Sequence, residues 1–330
     1  MERSQEHSGD VNTTLVSIII PAYRAAAFIG RALDSVFAQT FNDYEVIVIN
    51  DGSPDSAELE RVLTGYAERI NLCNQRNGGP AAARNAGIAK AKGQFIAFLD
   101  ADDYWYPNYL AAQMACIDAD PMLDLVYADA LFVGDSALAG RTFMDATPSN
   151  GEVTLESLLD ATCTIVLSGV VVRKQTILDA GLFDEQFRFA EDYDLWLRVA
   201  KGNAKLIYQR EVLLCKLLHA ESLSADHIKL FESALLVLDK IGRAYELIAS
   251  EEIALNSRKE KLVAYLKLES GKRSLSRGQF SAAVEAFKEA NEFFRSWKLR
   301  WVLFWLRFSP NLLWRFYNYY RPVTLEFKRK

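Results

Sequence analysis

At 330 residues the chain is longer than one hydrophobic core readily serves, so a large domain with an appendage is expected. Half the residues are hydrophobic and a quarter charged, an ordinary globular composition. The net charge of −5 argues against general affinity for nucleic acid, and none is expected as a partner.

Residues 1–14 are polar and carry Glu2, Glu6 and Asp10, which reads as a disordered tail and not as a signal peptide. Apolar runs at 16–20 and 45–49 predict strands. Between them Phe28, Ile29, Ala32, Leu33, Val36 and Phe37 follow helical spacing. A second helix is expected over 55–69, a weak strand over 70–74, a third helix over 80–91 with Pro80 near its start, and a strand over 94–99. Strand and helix alternating through short links imply a parallel sheet covered on both faces. Further on, 107–119 reads as helix, 123–133 as strand and 134–151, rich in Gly, Ser and Asp, as a loop. Strands are expected at 165–172 and 205–208, and helices at 174–180 and 191–200. In the last of these Tyr193, Trp196, Leu197 and Ala200 form one apolar stripe. Beyond Asp226 only helical patterns occur, so a boundary is placed near Ser224. Within this tail 278–290 resembles the turn and second helix of a tetratricopeptide repeat, without a second copy at the 34-residue period. A helical hairpin packed on the main domain is expected there.

Cys73, Cys116, Cys163 and Cys215 are far apart and form no CxxC pair, which predicts buried, reduced thiols in a cytoplasmic protein. No run of about eighteen uncharged apolar residues exists, so no bilayer-spanning helix is expected.

The most informative stretch is Phe95-Ile96-Ala97-Phe98-Leu99-Asp100-Ala101-Asp102-Asp103, an apolar run ending in three acids. It predicts a buried strand delivering carboxylates to its C-terminal tip, where open α/β sheets bind ligands. Such a cluster needs hydration or a cation, and oxygen-only donors suit Mg²⁺ or Mn²⁺. The alternative is an acidic turn with Asp102 capping the next helix. Two further strand tips point the same way. Pro21-Ala22-Tyr23 follows the first strand, where Pro stops the ladder. Asn50-Asp51-Gly52-Ser53 ends the second, as a plain Asp-Gly turn or as an acceptor for the N–H of a uracil-like base. Then Arg76-Asn77-Gly78-Gly79-Pro80 opens an alanine-rich helix with Arg84 one turn in, facing an anion or solvent.

Together these features resemble the nucleotide-sugar half of the family 2 inverting glycosyltransferases, of GT-A fold. Gly181-Leu182-Phe183-Asp184-Glu185 and Glu191-Asp192-Tyr193-Asp194-Leu195-Trp196-Leu197-Arg198 resemble that family's acceptor-side signature. Lys216-Leu217-Leu218-His219-Ala220-Glu221-Ser222-Leu223-Ser224 resembles its closing motif. The resemblance covers 16–224. It implies an α/β catalytic domain over 15–224, with a mostly parallel sheet flanked by helices, and an all-helical extension over 225–330. It implies a transferase that moves a sugar from a nucleotide-diphosphate donor, UDP-linked above all, onto a glycan or lipid-linked acceptor in surface polysaccharide synthesis. Pro21, Ala22, Tyr23, Gly79 and Ala101 would line the donor site. Asp51 would contact the base, and Asp100 the ribose or the neighbouring metal shell. Asp102 would ligate Mn²⁺ or Mg²⁺ with Asp103 in support, and Arg84 and Lys216 would neutralise the diphosphate. His219 would ligate the cation or touch the β-phosphate. Asp192 would be the general base for an in-line displacement, with Glu191 beside it orienting the acceptor. An acid at a helix start is also favoured by the helix dipole, which is the structural alternative for Asp192.

The end of the chain is polarised. From Arg295 onward nine basic residues face one acid, Glu326, so this end carries about +8 and the remainder about −13. Its Trp, Phe and Tyr content reads either as helices in an anionic membrane interface, with the protein peripheral on the cytoplasmic face, or as core helices whose arginines snorkel to water. Competing readings of the whole are weaker. A dehydrogenase lacks G-x-G-x-x-G after its first strand. A sugar-nucleotidyltransferase would carry a glycine-rich, Arg-containing loop where Pro21-Ala22-Tyr23-Arg24-Ala25 stands. A catalytically silent scaffold binding partners through its tail would have little use for the acidic clusters.

Overall fold

The computed structural model describes residues 15–134, 136–147, 149–219 and 226–319. The expected tail at 1–14, the boundary at Ser224, the motif residues Glu221 and Ser222, and the basic residues Arg321, Lys328, Arg329 and Lys330 lie outside the described residues.

Strands β1 (Val16–Ala22), β2 (Tyr44–Asp51), β3 (Asn71–Gln75) and β4 (Phe95–Phe98) are parallel neighbours in the order β3-β2-β1-β4. They are joined through α1 (Ile29–Phe37), α2 (Ser56–Leu63) and α3 (Pro80–Lys90). Ile18, Ile19 and Ile20 of the central β1 are fully buried, as an unbroken apolar run covered on both faces must be. Helix α1 buries Ile29, Ala32, Leu33 and Val36, the stripe its spacing predicts. Helix α3 seats closely on β1 because Gly87 has no side chain. A Cβ there would stand 2.5 Å from Ile19 Cγ2. Strand β1 runs through Pro21, pairing Pro21 with Ile49 and Ala22 with Asn50 of β2, whereas its ladder to β4 ends at Ile19–Phe98. Pro21 therefore ends one ladder and not the other.

The other half of the sheet is antiparallel. β7 (Val170–Arg173) pairs with both β4 and β6 (Leu125–Gly134), and β5 (Tyr104–Trp105) pairs with β8 (Leu206–Leu218). The full order is β3-β2-β1-β4-β7-β6-β8-β5, a mixed sheet whose parallel part carries the strand tips. Helix α4 (Tyr109–Ala119) follows β5, and α7 (Lys174–Asp179) follows β7. The expected loop over 134–151 contains a one-turn helix, α5 (Phe143–Ala146), closed by a capping box between Thr142 and Asp145. Helix α6 (Leu155–Leu159) was likewise not expected. The four cysteines are unpaired. Cys163 and Cys215 are buried, but Cys73, on the edge strand β3, and Cys116, on α4, are only half-buried.

The described residues fall into two compact units. The first holds those up to Ala130 with Val166–Glu185 and Ala204–Lys216. The second holds Leu131–Ile165, Gln186–Asn203 and the described residues from Leu217 on. In the second, α8 (Glu191–Lys201) is followed by α9 (His227–Ala244), α10 (Ala249–Ser276), α11 (Phe280–Phe294), α12 (Trp297–Phe308) and α13 (Pro310–Tyr319). The resemblance to a repeat hairpin corresponds to α10 and α11, which share a core of Ala264, Leu268, Leu275, Ala283, Phe287 and Ala290. Among the described residues no helix is long and apolar enough to cross a membrane.

Candidate active site

Parallel strands put their C-terminal tips along one sheet edge, and the first unit gathers most of the predicted residues there. At the tip of β1, Ala22 is buried and Tyr23 half-exposed. The Arg24 N–H donates to Ser53 Oγ at 2.6 Å and the Ala26 N–H to Asp55 Oδ2 at 3.1 Å, which ties this loop to the turn after β2.

Asp51 ends β2 and is 3% exposed. Its Oδ1 accepts from Gln75 Nε2 and the Gly78 N–H, each at 2.8 Å, and its Oδ2 accepts from the Gly79 N–H at 2.9 Å. Asn77 Nδ2 donates to the Asp51 carbonyl at 3.1 Å. One carboxylate thus shapes the whole glycine turn ahead of α3. Gly52 is required beside it: its φ is +63°, and a Cβ would stand 2.6 Å from the Asn77 nitrogen. Gly79 caps α3, and Pro80 occupies its first turn, where a missing N–H costs nothing.

From one turn into α3, Arg84 reaches past the end of β4, where Nη2 meets Asp100 Oδ1 at 2.8 Å. The Phe183 ring lies 5.6 Å from the guanidinium carbon. The neighbouring Asn85 holds the acceptor-side segment in place. Its Nδ2 donates to the Phe183 carbonyl and to Glu185 Oε1, both at 2.9 Å, while its Oδ1 accepts from the Phe183 N–H at 3.0 Å.

The carboxylate oxygens of Asp100, Asp102 and Asp103 come within 4.8 Å of one another. Two of the chain's own cations already offset part of this charge. Lys216, on β8, places Nζ 3.3 Å from Asp103 Oδ2 and 3.9 Å from Asp100 Oδ2. Strand β5 brings that strand to the site by pairing Tyr104 with Cys215. Ser168 donates to Asp103 Oδ2 at 2.7 Å and accepts from the Asp100 N–H at 3.2 Å. Burial works against ionisation at Asp100, but Arg84 and then Lys216 outweigh it and hold that carboxyl below the usual range. Asp103 is pushed up to about 6, by burial first and by Asp102 and Asp100 as like charges, against the pull of Lys216. Burial alone would lower Lys216, yet Asp103, Asp100 and Asp102 raise it above the ordinary lysine value. Three acids against two bases leave about one negative charge. Asp102 is partly exposed, and the three acids with their two bases suit a hard divalent ion held by Asp102 with Asp100 beside it.

Asp192, Glu191 and His219 belong to the second unit. Helix α8 starts after Ala190, whose left-handed φ of +58° turns the chain sharply into the helix. Asp192 sits in the first turn and accepts the Tyr193 N–H at 2.8 Å, while Glu191 is buried. Trp196, Leu197 and Ala200 of the predicted stripe are buried, and half-buried Tyr193 donates its hydroxyl to the Leu158 carbonyl at 3.2 Å. Asp192 itself is partly exposed. His219 is half-buried at the end of β8.

Ser168, Asn85 and Gln75 support the site but were not predicted. A lone Ser two residues before β7 carries no pattern.

A family model for glycosyl transferase family 2 matches residues 17–136. The Escherichia coli UDP-Glc:alpha-D-GlcNAc-diphosphoundecaprenol beta-1,3-glucosyltransferase WfgD is 34% identical over 190 residues, 57% of this chain and 71% of that protein. The chain belongs to glycosyltransferase family 2. Five uncharacterized Rickettsia glycosyltransferases are 29–31% identical, and the chain spans 30–66% of their length. The fold is of the GT-A type. S. aureus TarS 1-349 in complex with UDP matches with a TM-score of 0.61 at 20% identity, over 95% of this chain and 94% of that one. The mannosyltransferase PcManGT from Pyrobaculum calidifontis, in complex with GDP-Man and Mn²⁺, matches at 0.60 and 17%, over 93% and 87%.

Proposed function

We propose that the chain is an inverting, divalent-metal-dependent glycosyltransferase taking a UDP-sugar to a hydroxyl of a glycan or lipid-linked acceptor in surface polysaccharide synthesis. Residues 15–224 are its catalytic domain and 225–330 a helical extension. The observation that carries this reading is the gathering of the Asp51 turn, the Arg84–Asp100 pair and the Asp100/Asp102/Asp103 cluster at one parallel sheet edge. The names of WfgD and of the UDP complex of TarS support the donor class, and WfgD's supports a lipid-linked acceptor. The Mn²⁺ complex of PcManGT supports the metal.

Asp51 already accepts three hydrogen bonds, and a carboxylate has about four acceptor sites, which leaves one for a base N–H. Pro21, Ala22, Tyr23, Gly79 and Ala101 line the donor. Arg84 and Lys216 bring positive charge to the phosphates. In doing so they share it with Asp100 and Asp103, which fix where both cations stand. Asp102, with His219 as further ligand or β-phosphate contact, would hold a divalent ion, which would supply positive charge to offset that of the departing diphosphate. Asp192 takes the proton from the acceptor hydroxyl as its oxygen bonds the anomeric carbon. The bond from that carbon to the phosphate oxygen breaks on the opposite face, so the configuration inverts. Glu191 orients the acceptor. The same reading places the protein at an anionic membrane surface on the cytoplasmic side.

A screen of nucleotide sugars with added Mn²⁺ is expected to find one UDP-sugar consumed, with EDTA stopping turnover. Consumption of none, with Mn²⁺ or with Mg²⁺, would refute the reading.

A further inference from the structure

The surface of α12 has two apolar faces. Leu299 and Leu306 are buried in the α10–α11 core, with Val302 and Leu303 packed beside them. The opposite face carries Trp297, Trp301, Phe304, Trp305 and Phe308, at helical positions i, i+4, i+7, i+8 and i+11. All five are exposed, Trp301 at 55% and Phe308 at 64%. Their rings pack on one another: Phe304 lies 5.8 Å from Trp301, 6.0 Å from Trp305 and 4.6 Å from Phe308 between centroids. A helix with apolar side chains on two opposite faces is ordinarily covered on both, so this outer stripe implies an occupant. Helix α13 adds exposed Leu312, Phe316 and Tyr319, again at i, i+4 and i+7.

Charge chooses that occupant. On the helical wheel Arg300 and Arg307 flank the aromatic stripe on one side and Lys298 on the other, all exposed. Arg315 adds a fourth exposed cation, and no acid occurs in α12 or α13. A second copy docking on the same face would set these cations against their own counterparts, which is repulsive. An apolar stripe rich in Trp and edged by Arg and Lys instead fits a plane that is apolar inside and negative at its rim.

We propose that the outer face of α12, continued by α13, docks on an anionic phospholipid bilayer, lying in the interface with its aromatic stripe below the headgroups. This deepens the membrane placement in the proposed function but depends on none of its catalytic steps. The test is flotation of the full chain with vesicles of phosphatidylglycerol and phosphatidylcholine in equal parts, and with phosphatidylcholine alone, without any nucleotide sugar. Recovery with the anionic vesicles only, weakened by salt, is expected. The double variant Arg300→Gln/Arg307→Gln should weaken partitioning about thirtyfold, and Trp301→Ser/Phe308→Ser should abolish recovery. Both pairs are surface substitutions, and unchanged circular dichroism will confirm folding. Equal recovery on neutral vesicles, no recovery on either, or wild-type recovery of both variants would overturn the proposal. So would an aromatic variant that dissociates a dimer without changing vesicle recovery, since the face would then belong to a second copy. Transferase activity enters none of these readouts, so a failed catalytic reading and a failed docking surface are told apart.

Discussion

Asp192→Asn is expected to reduce sugar transfer by about a hundredfold to ten-thousandfold, the range a positioned general base supplies. The substitution keeps the shape of the side chain, and its amide oxygen can still accept the Tyr193 N–H that the carboxylate accepts now. What it loses is the capacity to hold a proton. The loss should therefore fall on kcat, with UDP binding unchanged, because the proton that Asp192 is proposed to take belongs to the acceptor hydroxyl and not to the donor. Initial rates with the responsive UDP-sugar, together with a UDP titration of the same variant, provide the check. Turnover near wild type would show that the acid is only a favourable first-turn residue at a helix start.

The second large effect is expected on stability. Two residues on, Asp194 is fully buried, and its carboxylate is divided between two cations. Oδ2 accepts from Arg198 Nε at 2.9 Å and Nη2 at 2.7 Å, while Oδ1 accepts from Lys240 Nζ at 2.7 Å. Lys240 comes from α9 and also lies 5.3 Å from the centre of the Phe187 ring. The arrangement joins α8 to α9 within the second unit. Its Coulombic gain against an apolar replacement is modest, because three charges had to leave water. Removing the carboxylate alone is different, since the nearly buried Arg198 and Lys240 then lose the buried negative charge that both pair with. Asp194→Asn should cost about 3–5 kcal/mol, seen as an earlier thermal transition by circular dichroism. A melting curve that superposes on wild type would contradict this account of how α8 is held.

Much of the site could be read from sequence because it sits at strand tips, where an apolar run changes abruptly to polar residues. The endings of β1, β2 and β4 each announce a change of environment, and Gly79-Pro80 marks the start of α3. The antiparallel half was less legible. Strand direction leaves no trace in periodicity, so nothing in 165–172 says that β7 runs against β4. Strand β8 was expected to stop near 208, because Gln209-Arg210-Glu211 interrupts its apolar pattern. It continues to Leu218 and so carries Lys216 to the acids. Strand β5, at two residues, is too short to have a period at all. The one-turn α5 did leave a signal, the Thr142 to Asp145 spacing of a capping box, hidden among loop-forming residues.

The acidic cluster carries compensation that no sequence pattern shows. Close carboxylates require compensation, and the fold supplies part of it through Arg84 and Lys216, residues that sequence alone assigned to phosphate. In the proposed reading a metal ion would have a narrower task, concentrated on Asp102 and on the charge that arrives with a diphosphate. Ser168 donates to the same Asp103 oxygen, Oδ2, that Lys216 meets, and so helps hold it there.

The most direct test is calorimetric titration of UDP into the full chain with Mn²⁺, with EDTA, and with Mn²⁺ added to Asp102→Ala. The account predicts measurable binding with Mn²⁺ and a loss of about tenfold or more in affinity under each of the other two conditions. Equal affinity for UDP under all three would contradict it.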